Sequence, residues 1–123
     1  MAATVLIVDD HAGFRLSARR ILEADGFEVV GEAADGTSGV AEARRLRPEI
    51  VLLDVYLPDA SGFDLADEMA RLPGAPAVVL TSSHDIQDFG ESLPGSSARG
   101  FVPKGDLCGP AVAALVAQGR AAG

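Results

Sequence analysis

The chain has 123 residues and a formal net charge of −8, with 48% hydrophobic and 23% charged residues. That is the composition of one compact domain, long enough to bury a core without disulfides or structural metal. An acidic surface repels phosphate backbones, no segment has the apolar length of a bilayer span, and the single Cys108 excludes an internal disulfide framework.

Taken in order, short apolar runs alternate with segments of helical period. Val5–Val8 is a strand that ends in Asp9-Asp10. Met1 to Val8 has no basic region and no small-residue cleavage site, so it is not a secretory signal, and a cytoplasmic location is expected. A first helix puts Phe14, Ala18, Ile21 and Leu22 on one face and stops at Asp25-Gly26. Glu28–Ala33 is a second strand, with Asp35-Gly36 as its turn. A second helix carries Val40, Ala43 and Leu46 and ends before Pro48. Ile50–Leu53 is a third strand, closed by Asp54. A third helix starts near Ser61, turns Leu65, Ala66, Met69 and Leu72 inward, and ends at Pro73-Gly74. Ala77–Leu80 is a fourth strand, closed by Thr81. His84 to Ser97 makes a poor helix, because Gly90, Pro94 and Gly95 interrupt it. Arg99–Val102 is a fifth strand, closed by Pro103-Lys104, and Val112, Leu115 and Val116 stripe a last helix.

Five strands alternating with five helices predict an α/β fold: a single-domain, doubly wound (βα)5 unit whose parallel five-stranded sheet has helices on both faces. The domain takes in residues 1–123, with the Ala/Gly-rich tail expected to fray after about residue 118. In the strand order 2-1-3-4-5, ligands bind beyond the carboxyl ends of strands one and three. Asp9, Asp10 and Asp54 fall there, with Thr81 and Lys104 at the ends of the neighbouring strands. Lys104 is the sole lysine among ten basic residues, at a place where a compact ammonium and a broad guanidinium are not equivalent. Each residue on its own is equally well a cap or turn former; their coincidence on one sheet edge is what indicates a site. Three close carboxylates call for a cation, and an all-oxygen donor set indicates a hard one such as Mg²⁺. A carboxylate is also a competent nucleophile in phosphoryl transfer.

The sequence resembles the receiver domains of bacterial two-component response regulators along essentially its whole length. The resemblance is carried by Leu6-Ile7-Val8-Asp9-Asp10, Glu32-Ala33-Ala34-Asp35-Gly36, Leu53-Asp54-Val55-Tyr56-Leu57-Pro58 with Gly62, Leu80-Thr81-Ser82, and Gly100-Phe101-Val102-Pro103-Lys104. It implies a flavodoxin-like fold, with Asp54 as phosphoacceptor for a histidine kinase or histidine phosphotransfer protein. Asp9, Asp10, Asp54 and the backbone carbonyl of Tyr56 are the implied Mg²⁺ ligands, with Mn²⁺ as a substitute. Thr81 and Lys104 are the implied phosphoryl partners, and Thr81 and Phe101 the switch pair. The implied output is a change on the surface formed by the fourth helical segment, the fifth strand and the last helix, with homodimerisation on phosphorylation. Direct nucleic-acid binding by this domain and membrane association are not expected. Nor is turnover of an external substrate, since such a domain catalyses only its own phosphorylation and dephosphorylation.

Other polar residues are assigned lesser roles. Arg15 and Arg19, and likewise Arg44, Arg45 and Arg47, are expected to form solvated faces. His11 and His84 are expected to be exposed loop or cap residues, and Asp59 and Asp64 turn and helix-start residues. Tyr56 and Ser83 stand where the family tunes hydrolysis. The competing functions are a phosphorylation-independent receiver-like interaction module, a flavin or nucleotide binder, and a phosphatase or phosphotransferase with a first-strand Asp nucleophile. The second lacks a Gly-rich phosphate loop after strand one. The third lacks a second Asp two residues after the first pair.

Overall fold

The computed structural model describes residues 2–83 and 97–121. Five strands, β1 (Thr4–Val8), β2 (Glu28–Ala33), β3 (Ile50–Asp54), β4 (Ala77–Ser82) and β5 (Gly100–Pro103), form one sheet in the order β2-β1-β3-β4-β5. All four strand pairings are parallel. Among the described residues the helices are α1 (Ala12–Ala24), α2 (Gly36–Leu46), α3 (Gly62–Met69) and α4 (Gly109–Ala121). The helical segment expected over His84–Ser97 lies outside the described residues except for Ser97, so the label α4 denotes the helix that follows β5.

Side-chain alternation along the strands sorts the core into two layers. Leu6, Val8, Val51, Leu53, Val78 and Leu80 face Val40 and Ala43 of α2 and Leu65, Ala66 and Met69 of α3. Val5, Ile7, Ile50, Leu52, Val79 and Val102 face Ala18 and Leu22 of α1 and Val112 and Val116 of α4. This burial on both faces is why the strands have continuous apolar sequences. The same parity, followed to the strand ends and one residue beyond β1, assigns Asp9, Asp54 and Thr81 to the α1/α4 side of the sheet.

Helix ends differ from expectation in two places. The helix α3 stops at Met69, three residues before Leu72. Arg71 and Leu72 instead make tight-turn hydrogen bonds to Glu68 and Met69, because Pro73 and Gly74, with φ at +65°, cannot extend the helix. The sequence also gave no sign of the short 3₁₀ turn at Lys104–Asp106 that follows β5.

The start of α2 is capped from two directions. The Ser38 N–H donates to Asp35 Oδ1 at 2.7 Å. The N–H groups of Gly36 and Thr37 donate to the two oxygens of Asp59, at 2.7 and 3.0 Å, and the Thr37 hydroxyl adds a third bond at 2.9 Å. Asp59 therefore satisfies helix donors that would otherwise have only water, and it fastens the β3–α3 loop to α2. These bonds from Gly36 and Thr37 hold its carboxyl below the usual carboxylate range. A carboxylate depressed in the folded state stabilises the fold above its unfolded pKa of about 3.9, and that contribution is lost as pH falls through the folded value. Asp59→Ala is expected to lower the urea midpoint at pH 7. The gap between wild type and variant should close as pH drops below about 4, as followed by circular dichroism.

Candidate functional site

The carboxyl ends of β1, β3, β4 and β5 meet at one edge of the molecule. Asp9 is fully buried and Asp54 is 3% exposed, while the Asp10 side chain reaches the surface. Lys104, carried over the sheet edge by the turn after β5, places Nζ 2.7 Å from Asp9 Oδ2 and 3.5 Å from Asp54 Oδ2. The same ammonium lies 4.5 Å from the centroid of the Phe14 ring in α1, whose π face supports a cation. Asp54 Oδ1 accepts a hydrogen bond from the Tyr56 N–H at 3.2 Å. An open cleft of about 310 Å³ leads to this cluster and is lined by Asp10, His11, Asp54, Tyr56, Ser82 and Lys104, among others.

Burial and the neighbouring Asp9 carboxylate push the Asp54 carboxyl above its usual range, while the Tyr56 N–H and Lys104 pull it back. One ammonium thus faces two buried carboxylates, with a third, Asp10, at the rim. Asp9 Oδ2 is buried, and the Lys104 ammonium beside it is its partner. The donor set, all within reach of one point at Asp9, Asp10 and Asp54, fits a hard divalent cation in charge and ligand type.

Thr81 pairs in register with Asp54 on one side and with Val102 on the other. Its hydroxyl is buried and donates to the Val102 carbonyl at 2.7 Å. The hydroxyl is therefore held against β5, and Ser82 and Ser83 rather than Thr81 line the cleft. Phe101, one residue before Val102, packs half-buried against the opposite layer, on the α2/α3 side of the sheet. The two residues are thus linked through adjacent backbone positions of β5, one on each face of the sheet.

Residues 5–106 match the response regulator receiver domain family. The chain belongs to that family. It is 42% identical over 78 residues to the transcriptional regulatory protein PdtaR of Mycobacterium tuberculosis, covering 63% of this chain and 38% of that protein. It is 50% identical over 91 residues to a protein-glutamate methylesterase/protein-glutamine glutaminase of Anaeromyxobacter dehalogenans, covering 72% of this chain and 26% of that protein. The chain thus spans less than half the length of these curated relatives. A crystal structure of a two-component response regulator of the LuxR family from Aurantimonas superposes with a TM-score of 0.77 at 27% identity, covering 98% of this chain and 99% of that one.

Three residues that support the receiver site were not legible as such in the sequence. Arg15 is not part of a free solvated face: its Nε lies 3.1 Å from Glu32 of β2, and its Nη1 donates to the Asp9 carbonyl at 2.7 Å. Arg19 joins the same Glu32 at 2.9 Å. The pair braces the turn that carries the acidic residues, and the only sequence signal was the acidic Glu32 at the end of the adjacent strand. His11 is exposed at the start of α1 as expected, yet its ring approaches both Asp9 and Asp10 at 3.2 Å. His84 lies outside the described residues.

Gly62, at the first turn of α3, donates its N–H to the Val55 carbonyl at 2.7 Å. A Cβ at Gly62 would stand 2.6 Å from the Asp54 carbonyl oxygen and 2.7 Å from Val55 Cα. Those are backbone atoms, which cannot swing aside, so the close approach fixes the strand end that presents Asp54. In an unconstrained helix, glycine to alanine stabilises by up to about 1 kcal/mol. Here Gly62→Ala is expected to destabilise by about 1–3 kcal/mol through overpacking, as measured by urea unfolding.

Proposed function

We propose that this receiver domain accepts a phosphoryl group on Asp54 from the phosphohistidine of a histidine kinase or phosphotransfer protein. The observation that carries this reading is the buried Asp54 carboxylate at the base of an open acidic cleft, with the ammonium of Lys104 beside it. A divalent cation, Mg²⁺ or Mn²⁺, held by Asp9, Asp10, Asp54 and the Tyr56 carbonyl, would neutralise charge on the transferred group. Asp54 supplies the attacking oxygen, the phosphorus–nitrogen bond of the donor breaks, and the donor imidazole leaves with the bonding pair. Lys104 balances the oxygens of the new acyl phosphate. The domain then acts on itself alone, since water later attacks the acyl phosphate and releases inorganic phosphate. Tyr56, 52% exposed beside the cleft, is placed to limit that water and so to lengthen the phosphoryl lifetime.

The position of the Thr81 hydroxyl supports a switch as part of this reading. Its hydroxyl exchanges the Val102 carbonyl for a phosphoryl oxygen, which releases a constraint on β5, the strand that carries Phe101 on its other face. The local charge change biases a two-state element, the surface of β5, α4 and the segment before β5, toward a different partner or a second copy of the chain. A cytoplasmic setting and the use of residues 1–123 as one such domain belong to the same proposal. Among the described residues no helix is long and apolar enough to cross a membrane.

Incubation with acetyl phosphate and Mg²⁺, followed by intact mass spectrometry, is expected to give one phosphoryl adduct on wild type and none on Asp54→Asn or without the metal. Absence of an adduct on wild type, with beryllofluoride also failing to bind, would replace this reading with a phosphorylation-independent interaction module.

A further inference from the structure

His11 takes no part in the function proposed above, yet its ring is not doing what its position in the chain would suggest. It is the residue that precedes α1, and its side chain makes no capping hydrogen bond to the helix. The ring turns toward the acidic pair, with Nδ1 3.2 Å from Asp9 Oδ1 and 3.2 Å from Asp10 Oδ1. Its backbone N–H donates to the same Asp9 oxygen at 2.8 Å, which ties the residue to the mouth of the cleft. The other Asp9 oxygen, Oδ2, is taken by Lys104. Asp9 therefore divides its carboxylate, one oxygen toward the ammonium and the other toward the imidazole.

That spacing has a chemical meaning. Ligands at neighbouring corners of an octahedral ion with bonds of about 2.1 Å stand about 3 Å apart. One atom from each of Asp9, Asp10, His11 and Asp54 falls within a mutual span of 4.8 Å, so a single ion can reach all four. A ring N–H shared between the two carboxylates would have the same spacing, but it would discriminate no metals. Carboxylate and carbonyl oxygens suit Mg²⁺, which sheds water reluctantly and gains little from nitrogen. Imidazole suits borderline transition ions.

We propose that His11 Nδ1 is a ligand in this pocket and tilts it from Mg²⁺ toward borderline transition-metal ions such as Co²⁺, Ni²⁺ and Zn²⁺. The inference rests on the reading of the acidic cleft as a divalent-cation site. Loading of the pocket then depends on which transition ions are available as well as on Mg²⁺.

The test is direct binding of Mg²⁺ and Co²⁺ to the full chain by calorimetry at one fixed pH, for wild type, His11→Ala and Asp10→Asn, with the visible spectrum of the Co²⁺ forms. Replacing His11 removes no capping bond, and thermal melts establish that each variant is folded. His11→Ala is expected to lower the ratio of Co²⁺ to Mg²⁺ affinity about tenfold or more and to change the Co²⁺ absorption bands. An unchanged ratio and spectrum, with both ions still bound and weakened by Asp10→Asn, would overturn the role of His11 and leave the cation site standing. Failure of wild type to bind either ion would overturn both.

Discussion

Two buried carboxylates facing one ammonium govern this structure. Asp9 and Asp54 sit at the ends of adjacent parallel strands, both buried. Lys104, 2.7 Å from one and 3.5 Å from the other, is the positive charge set against them. Opposite unit charges about 3–4 Å apart attract by roughly 4 kcal/mol at an effective dielectric near 20. Removing one partner of such a buried set typically costs about 3–5 kcal/mol, because the orphaned charge remains. A single positive charge against two negative ones leaves the edge short of compensation, and the proposed cation and phosphoryl chemistry rests on that deficit.

The rest of the fold holds that edge in shape. The alternation of side chains puts Asp9, Asp54 and Thr81 on the face covered by α1 and α4, the same face from which Phe14 supports the Lys104 ammonium. Arg15 braces the β1–α1 turn through the Asp9 carbonyl. Gly62 lets α3 start against the backbone of Asp54 and Val55, and Asp59 fixes the intervening loop to α2. On the far side Asp25, at the end of α1, accepts a hydrogen bond from the first residue of α4 at 2.8 Å. These ties immobilise the β1 and β3 ends. The Thr81–Val102 contact involves one neutral hydroxyl bond, worth about 1 kcal/mol net, so it is weak beside the charged contacts at this edge.

The sheet was legible in the sequence because its strands are buried on both faces. Continuous runs such as Ile50–Leu53 and Ala77–Leu80 have no other economical explanation, and the polar residues that close the inner strands, Asp9-Asp10, Asp54 and Thr81, stood out against them. Lys104 stood out as the only lysine. Contacts across the chain were not legible. Asp59 resembled an ordinary turn former because the helix it caps lies 23 positions earlier in the chain. Arg15 and Arg19 have the four-residue spacing of a solvated face, and only the strand order shows that Glu32 lies beneath them. The direction of the Thr81 hydroxyl depends on a carbonyl of β5, so no local pattern encodes it. Pro73-Gly74 marked the end of the α3 region but not the residue at which the helix would give way to turns.

The central claim is that Asp54, and not a neighbouring carboxylate, carries the phosphoryl group. Borohydride reduces an acyl phosphate to an alcohol, so phosphorylated protein treated in this way and digested reports its own acceptor by peptide mass spectrometry. The account predicts homoserine at position 54 and unmodified aspartate at positions 9 and 10. Homoserine at Asp9 or Asp10, with Asp54 intact, would contradict it.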